Sequence, residues 1–128
     1  MDVLSSRILL HPFDPERSRR FYRDTLGLAV HREFGPPDNP GMVFFIGGGL
    51  LEVSGGGAPV GDTTMALWLQ VRDVALEHDG LAAAGVRVLR APRKEPWGLV
   101  EMWIADPDGV RLVLVQVPDD HPLRRDQR

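Results

Sequence analysis

Apolar and polar positions divide the first half of the chain into a strand, a helix and three more strands. Residues 5–10 have the character of a strand. Asp14 offers an N-cap and Pro15 a first helical residue with a fixed φ, so a helix should begin at Pro15. Gly27 supplies the left-handed residue that ends many helices. Strands are then predicted over residues 28–34, 42–46 and 50–54.

The predicted first helix has an apolar side and a basic side. Phe21, Tyr22 and Leu26 should be buried. The basic residues of this helix are expected in solvent: Arg17, Arg19, Arg20 and Arg23.

The second half of the chain repeats the same order of elements. Residues 65–71 form a predicted strand, Asp73 caps a helix through residue 84, and a further strand starts at residues 86–89. Residues 98–105 and 110–117 form a hairpin. Asp73 follows Asp14 by 59 residues and Gly85 follows Gly27 by 58. The chain is therefore predicted to be a single α+β domain, residues 1–128, of two βαβββ modules: module one 5–54, linker 55–64, module two 65–117 and tail 118–128.

One helix covers only one face of a four-stranded sheet, so the other face of the sheet in each module is not covered by a helix of that module. Along residues 65–71, alternation places Leu67, Leu69 and Val71 on the side of the helix. The other side carries a set too mixed for a core: Ala66, Trp68 and Gln70. These positions suit the wall of a cavity that the curved sheets of paired modules would enclose.

Composition excludes several classes of protein. The chain has 128 residues, no Cys, 15 Lys and Arg against 18 Asp and Glu, and a net charge of -3. A field of that sign disfavours nucleic acid as a partner, and disulfide and thiolate chemistry need cysteine. The apolar runs are strand-sized, so no membrane span is expected, and the first residues lack the pattern of a signal peptide. We therefore expect a cytoplasmic protein.

Three segments carry a resemblance to a known family. They are Phe-Tyr-Arg-Asp-Thr-Leu-Gly-Leu at 21–28, Leu-Ala-Ala-Ala-Gly-Val at 81–86 and Asp-Pro-Asp-Gly at 106–109. In this order and spacing the chain resembles the vicinal oxygen chelate superfamily, which contains glyoxalase I, extradiol dioxygenases, fosfomycin-resistance enzymes and bleomycin-resistance binding proteins. The resemblance covers nearly the whole chain, and it implies a homodimer with ligand cavities between modules.

The resemblance also implies where a metal would be held. Carried over by position, the ligand places of metal-dependent relatives fall on Arg7, Glu52, Ala66 and Val113. Among these only Glu52 can bind a metal, and a permanent arginine cation repels one. His11 shares a face with Arg7 in the predicted first strand, but Glu52 and one histidine are too few ligands. We therefore expect no metal and no cofactor, and a salt bridge between Arg7 and Glu52; alternatively, Arg7 extends into solvent and Glu52 bonds to a glutamine or a backbone amide.

Residues 96–103, before the Asp-Pro-Asp-Gly turn, resemble the bleomycin-resistance group, in which an aromatic groove at the dimer interface holds a flat antibiotic. Trp68, Trp97 and Trp103 would stack on a planar ligand here, or pack in the core or the dimer interface instead. Glu101 would select cationic compounds, or it is an edge-strand charge that prevents aggregation. The candidate ligand-binding residues are Arg7, Leu9, His11, Glu52, Trp68, Gln70, Trp97, Glu101 and Trp103.

These features favour a metal-free protein that binds an aromatic or apolar small molecule, such as an antibiotic or a secondary metabolite, and acts by sequestration. One alternative is a lyase, isomerase, oxygenase or thiol transferase of the superfamily that uses Glu52 and His11 with a metal or as an acid–base pair. Another is a subunit or sensor module whose cavity is filled by its own tryptophans.

Overall fold

The computed structural model describes residues 2–56 and 65–122. The chain forms two compact units, Met1–Asp62 and Thr63–Arg128, and each is described by itself. Most of the predicted linker, at 57–64, and the end of the predicted tail, at 123–128, lie outside the described residues.

The first unit is one helix on a four-stranded mixed sheet. Its strands are β1 (Ile8–Leu10), β2 (Val30–Phe34), β3 (Gly41–Ile46) and β4 (Gly49–Val53), and its helix is α1 (Pro15–Arg20). The sheet has the order β1-β4-β3-β2, in which β1 runs parallel to β4 and the other pairs are antiparallel.

The start of α1 is the predicted one, but the helix changes type before it ends. The Asp14 carboxylate accepts from the Arg17 amide at 3.1 Å, and Pro15 is the first helical residue. Phe21–Thr25 forms a π-helical turn, closed by the Leu26 amide bonding to the Phe21 carbonyl at 2.8 Å. The turn directs the fully buried Tyr22 ring towards Phe44 of the sheet, 6.2 Å away between centroids.

The expectation that all four arginines of the first helix lie in solvent is wrong for Arg19. Its side chain is buried and donates to the Asn39 Oδ1 at 3.1 Å and to the Pro40 carbonyl at 3.0 Å. The loop between β2 and β3 offers two oxygen acceptors, and hydrogen bonds to them hold the guanidinium out of solvent. Arg20 and Arg23 are exposed as predicted, and Arg17 is half-buried.

The second unit repeats the first. It contains β5 (Ala66–Gln70), α2 (Val74–Ala83), β6 (Arg87–Lys94), β7 (Val100–Ala105) and β8 (Arg111–Gln116), with the sheet order β5-β8-β7-β6. Asp73 caps α2 by accepting from the Leu76 amide at 3.0 Å, which confirms the predicted cap. The Gln116 side chain accepts from the Val74 amide at 3.0 Å and so ties the start of α2 to β8.

The core of the second unit lies between α2 and one face of its sheet. The buried residues of that face are Leu67, Met102, Ile104, Leu112 and Leu114, and those of the helix are Val74 and Leu81. Both units thus have the order βαβββ, and the predicted α+β class is confirmed. Neither helix within the described ranges has the length and apolarity to cross a membrane.

Candidate ligand-binding surfaces

Each sheet has a side turned away from its helix, which we call its open face. Strand pairing shows which residues share it. In the first unit one row across the open face is Leu9, Glu52, Val43 and Arg32. In the second unit the corresponding row is Trp68, Val113, Trp103 and Arg90. The two rows lie on equivalent strands of the two modules, so equivalent positions of the repeat carry different side chains.

A polar cluster lies on the open face of the first unit. Arg7, which directly precedes β1, donates to Glu52 at 2.8 Å, so the predicted salt bridge is confirmed. The Ser54 hydroxyl donates to the other oxygen of Glu52 at 2.7 Å. The alternative, in which Glu52 bonds to a glutamine or a backbone amide instead, is wrong, because its carboxylate accepts from Arg7 and Ser54.

The charge state of Glu52 follows from these contacts. The hydrogen bond from Ser54, and then that from Arg7, hold the pKa of the Glu52 carboxyl below its ordinary value, with a smaller effect from His11. His11 Nδ1 lies 3.0 Å from the Ser54 carbonyl oxygen. Glu52 is therefore a well-bonded carboxylate and a weak proton acceptor at neutral pH.

The residues at the positions where the resemblance places metal ligands do not fit a divalent ion. The cationic Arg7 already pairs with Glu52, and the side chains of Ala66 and Val113 have no donor atoms. Across residues 2–56 and 65–122, no group of three or more His, Asp or Glu side chains is placed to hold a metal.

The open face of the second unit is aromatic and basic. Trp103 is half-buried and packs against an apolar cluster of Leu99, Val113, Val115 and Val117. Trp68 lies on the other side of Val113 in the same row and is 50% exposed. The predicted placement of Trp68 opposite the helix side of β5 agrees with this pairing.

Trp97 and Glu101 form a separate pair. The Trp97 indole donates to Glu101 at 2.8 Å, and the Trp97 carbonyl lies 2.9 Å from His121 Nε2. Glu101 is 7% exposed and lies on β7, between β8 and β6, so the alternative of an edge-strand charge is wrong. Gln70 is half-buried and pairs with Val115, whose other neighbour is Glu101.

A depression of about 280 Å³ opens on the same face of the second unit, and its lining is Leu89, Arg90, Trp103 and Arg111. Of these only Trp103 was predicted. Strict alternation from Val113 along β8 would have found Arg111. Alternation alone does not place Arg90 on this face, because an extra residue, Leu89, interrupts the pairing of β6 between Val88 and Arg90.

Buried charge fixes Arg90 in place. The Glu95 side chain is 1% exposed and accepts from Arg90 Nη2 and from Arg93 Nε, the latter at 3.1 Å. One carboxylate is thus shared by two guanidinium groups, and the pairing leaves a net positive charge beside Trp103.

A family model described as Glyoxalase/Bleomycin resistance protein/Dioxygenase superfamily matches residues 6–114. No curated protein matches the chain.

Solved structures agree with the family match. A member of this superfamily from Sphaerobacter thermophilus DSM 20745 is 26% identical, with a TM-score of 0.70 over 91% of this chain and 97% of that one. A glyoxalase-related enzyme from Fulvimarina pelagi is 28% identical, with a TM-score of 0.69 over 92% and 90%. TioX from Micromonospora sp. ML1, at 21% identity and a TM-score of 0.73 over 88% and 95%, shows the shared fold.

Proposed function

The chain belongs to the glyoxalase/bleomycin resistance protein/dioxygenase superfamily, and on this premise we propose that it is a metal-free binding protein that sequesters a planar small molecule, an antibiotic or a secondary metabolite. The observation that carries the proposal is the open face of the second unit, where Trp103 borders a depression of about 280 Å³. The proposed form is a cytoplasmic homodimer.

The arrangement of the tryptophans supports a platform for a flat ligand. Trp68 and Trp103 lie in one row with Val113 between them, so their backbones are two strand spacings apart, roughly 10 Å. Trp103 rests on a buried apolar cluster, and a ring held in this way loses little side-chain entropy on binding. Aromatic rings stacked on indole gain wide apolar contact.

The first unit supports binding without turnover. Glu52 accepts one hydrogen bond at each oxygen, from Ser54 and from Arg7, and these bonds lower its pKa. A carboxylate of this kind is a poor general base. The same ion pair disfavours Glu52 as a metal ligand, because a metal would have to displace the arginine.

Two measurements on purified, dialysed protein test the proposal. The first is elemental analysis by inductively coupled plasma mass spectrometry, before and after incubation with Zn, Ni, Mn and Fe(II). The second is quenching of tryptophan fluorescence by a panel of planar antibiotics and other polycyclic aromatic compounds. We expect no stoichiometric metal, and saturable quenching by at least one compound without conversion of that compound.

The outcome separates the proposal from the enzymatic alternative. Stoichiometric metal, together with chemical change of a bound compound, would establish a metal-dependent enzyme and overturn the proposal. Absence of saturable quenching across the whole panel would overturn the platform on the second unit.

A further inference from the structure

We infer that the ligand of the second unit is an aromatic anion, such as an aryl carboxylate, whose acid group is bound by Arg90 and Arg111 while its ring stacks on Trp103. The inference rests on the proposed binding function and specifies the class of ligand. It differs from the cationic selectivity that Glu101 suggested in the sequence.

The open face of the second unit carries an excess of positive charge. Its three paired rows contain four arginines and one acid: Arg87, Arg90, Arg93 and Arg111 against Glu101. The acid is 7% exposed and accepts from the Trp97 indole, so it presents little charge to a ligand. Glu95 offsets one of the four arginine charges, so a cation would still meet a face of net positive charge, whereas an anion is attracted to it.

Two of these arginines border the aromatic depression itself. Arg90 is the strand neighbour of Trp103 on β6, and Arg111 precedes Val113, the neighbour of Trp103 on β8, by two residues on the same face. Both side chains line the depression together with the indole. Guanidinium groups bind carboxylates through paired, charge-assisted hydrogen bonds, so two of them beside one ring suit a flat acid.

Arg90 is held ready for such a ligand. The buried Glu95 accepts from it and from Arg93, which fixes the guanidinium while leaving one positive charge uncompensated. The Arg90 side chain is 34% exposed, so part of it remains accessible to a ligand. A guanidinium that is already ordered, and that still has N–H groups to donate, binds an anion without the cost of ordering a mobile side chain.

The size of the depression sets the size of the ligand. A volume of about 280 Å³ lies at the small end for sites that take organic molecules. It suits an aromatic acid of about two fused rings, with Leu89 offering an apolar edge. Such an acid is the simplest molecule that uses every group in the lining.

The test compares three probes of one shape and different charge, namely 2-naphthoate, 2-naphthamide and 2-naphthylmethylammonium. Isothermal titration calorimetry on the full chain measures each Kd. We expect naphthoate to bind about ten-fold or more tightly than either of the others, because charge-assisted hydrogen bonds are about twice as strong as neutral ones. The preference should shrink as salt is added.

Two matched variants locate the effect. Arg111→Gln should remove most of the preference for naphthoate over naphthamide, and leave the affinity for naphthamide nearly unchanged. Arg87→Gln makes the same change of charge on the same face, but Arg87 does not line the depression, so it should keep the preference. Far-ultraviolet circular dichroism and melting curves check that both variants fold.

Each outcome decides between the two proposals. Equal binding of naphthoate and naphthamide, or a preference for the ammonium probe, overturns the anion site and leaves the aromatic platform standing. An equal loss in Arg111→Gln and Arg87→Gln also overturns the site, because a diffuse field and not the lining would then select the anion. If none of the three probes binds, the anion site falls, whereas the platform falls only if the panel of planar compounds also fails to quench the tryptophan fluorescence.

Discussion

Trp103 has two roles in this structure, and substitution should separate them. Its ring packs on Leu99, Val113, Val115 and Val117, and its other side borders the depression. Trp103→Ala should therefore weaken both folding and binding. Trp103→Leu keeps an apolar side chain over the cluster but removes the indole, so it should affect binding more than folding.

The loss in stability follows from burial. Truncation of a fully buried aromatic residue to alanine costs about 3–5 kcal/mol. Since Trp103 is half-buried, we expect Trp103→Ala to lower the free energy of unfolding by about 2 kcal/mol. For a chain of this size that lowers Tm by roughly 6–10 °C. Leu76→Ala, which removes an exposed apolar side chain from α2, is the matched control and should change Tm little.

The loss in affinity is measured separately. Loss of an aromatic anchor costs about 1–3 kcal/mol, which is a rise in Kd of roughly 5- to 150-fold. Titration calorimetry with a ligand found by fluorescence quenching should show this rise for Trp103→Leu and for Trp68→Ala, but not for Leu76→Ala. Unchanged affinity in both tryptophan variants would refute the platform.

Three further predictions concern the rest of the chain. Arg19→Met should lower the free energy of unfolding, measured in urea, by about 2–3 kcal/mol, because the Asn39 side chain loses a charged donor. Arg20→Met, at the exposed neighbouring residue, is the control and should change this free energy by less than about 0.5 kcal/mol. Equal effects of the two substitutions would contradict the buried role of Arg19. The pKa of Glu52 is lowered by its partners, so the Arg7 ion pair stabilises the fold above the ordinary pKa of 4.5 and its contribution is lost as pH falls through the lower folded value. The stability difference between the protein and its Glu52→Gln variant should be about 0.5–1 kcal/mol at neutral pH and shrink below pH 4.5; a difference independent of pH would show that the charge of Glu52 is not involved. Addition of a chelator should leave Tm unchanged in differential scanning calorimetry, and a marked drop would reveal a metal that the residues at the family's positions do not account for.

The elements of the fold were predictable because their signals are local. Asp14 and Asp73 cap the two helices, and Gly27 and Gly85 follow them with φ of 68° and 79°. Period-two alternation then located the strands to within a few residues of their observed bounds. The π-helical turn at Phe21–Thr25 has no comparable signal, because its apolar spacing is close to that of an α-helix.

The site was predictable only where alternation holds. Arg7, Leu9 and Glu52 share a face by parity, and the first and last of these form the predicted ion pair. Arg19 was misplaced because the acceptors that bury it come from a loop 20 residues away in sequence. Arg90 was not predicted as a site residue because a bulge changes the face of the sheet on which it lies.

The bulges of β6 make the charge of the open face depend on the number of residues in one strand. Between Val88 and Arg90 two residues span one step of the partner strand, and between Arg90 and Arg93 three residues span two steps. Arginines spaced by three along the chain therefore fall on one face of the sheet: Arg87, Arg90 and Arg93. Under regular alternation Arg90 would face the core, because it lies three residues, an odd number, from both Arg87 and Arg93. The charge of the open face therefore depends on these two irregularities in the pairing of β6, and not on the composition of the strand alone.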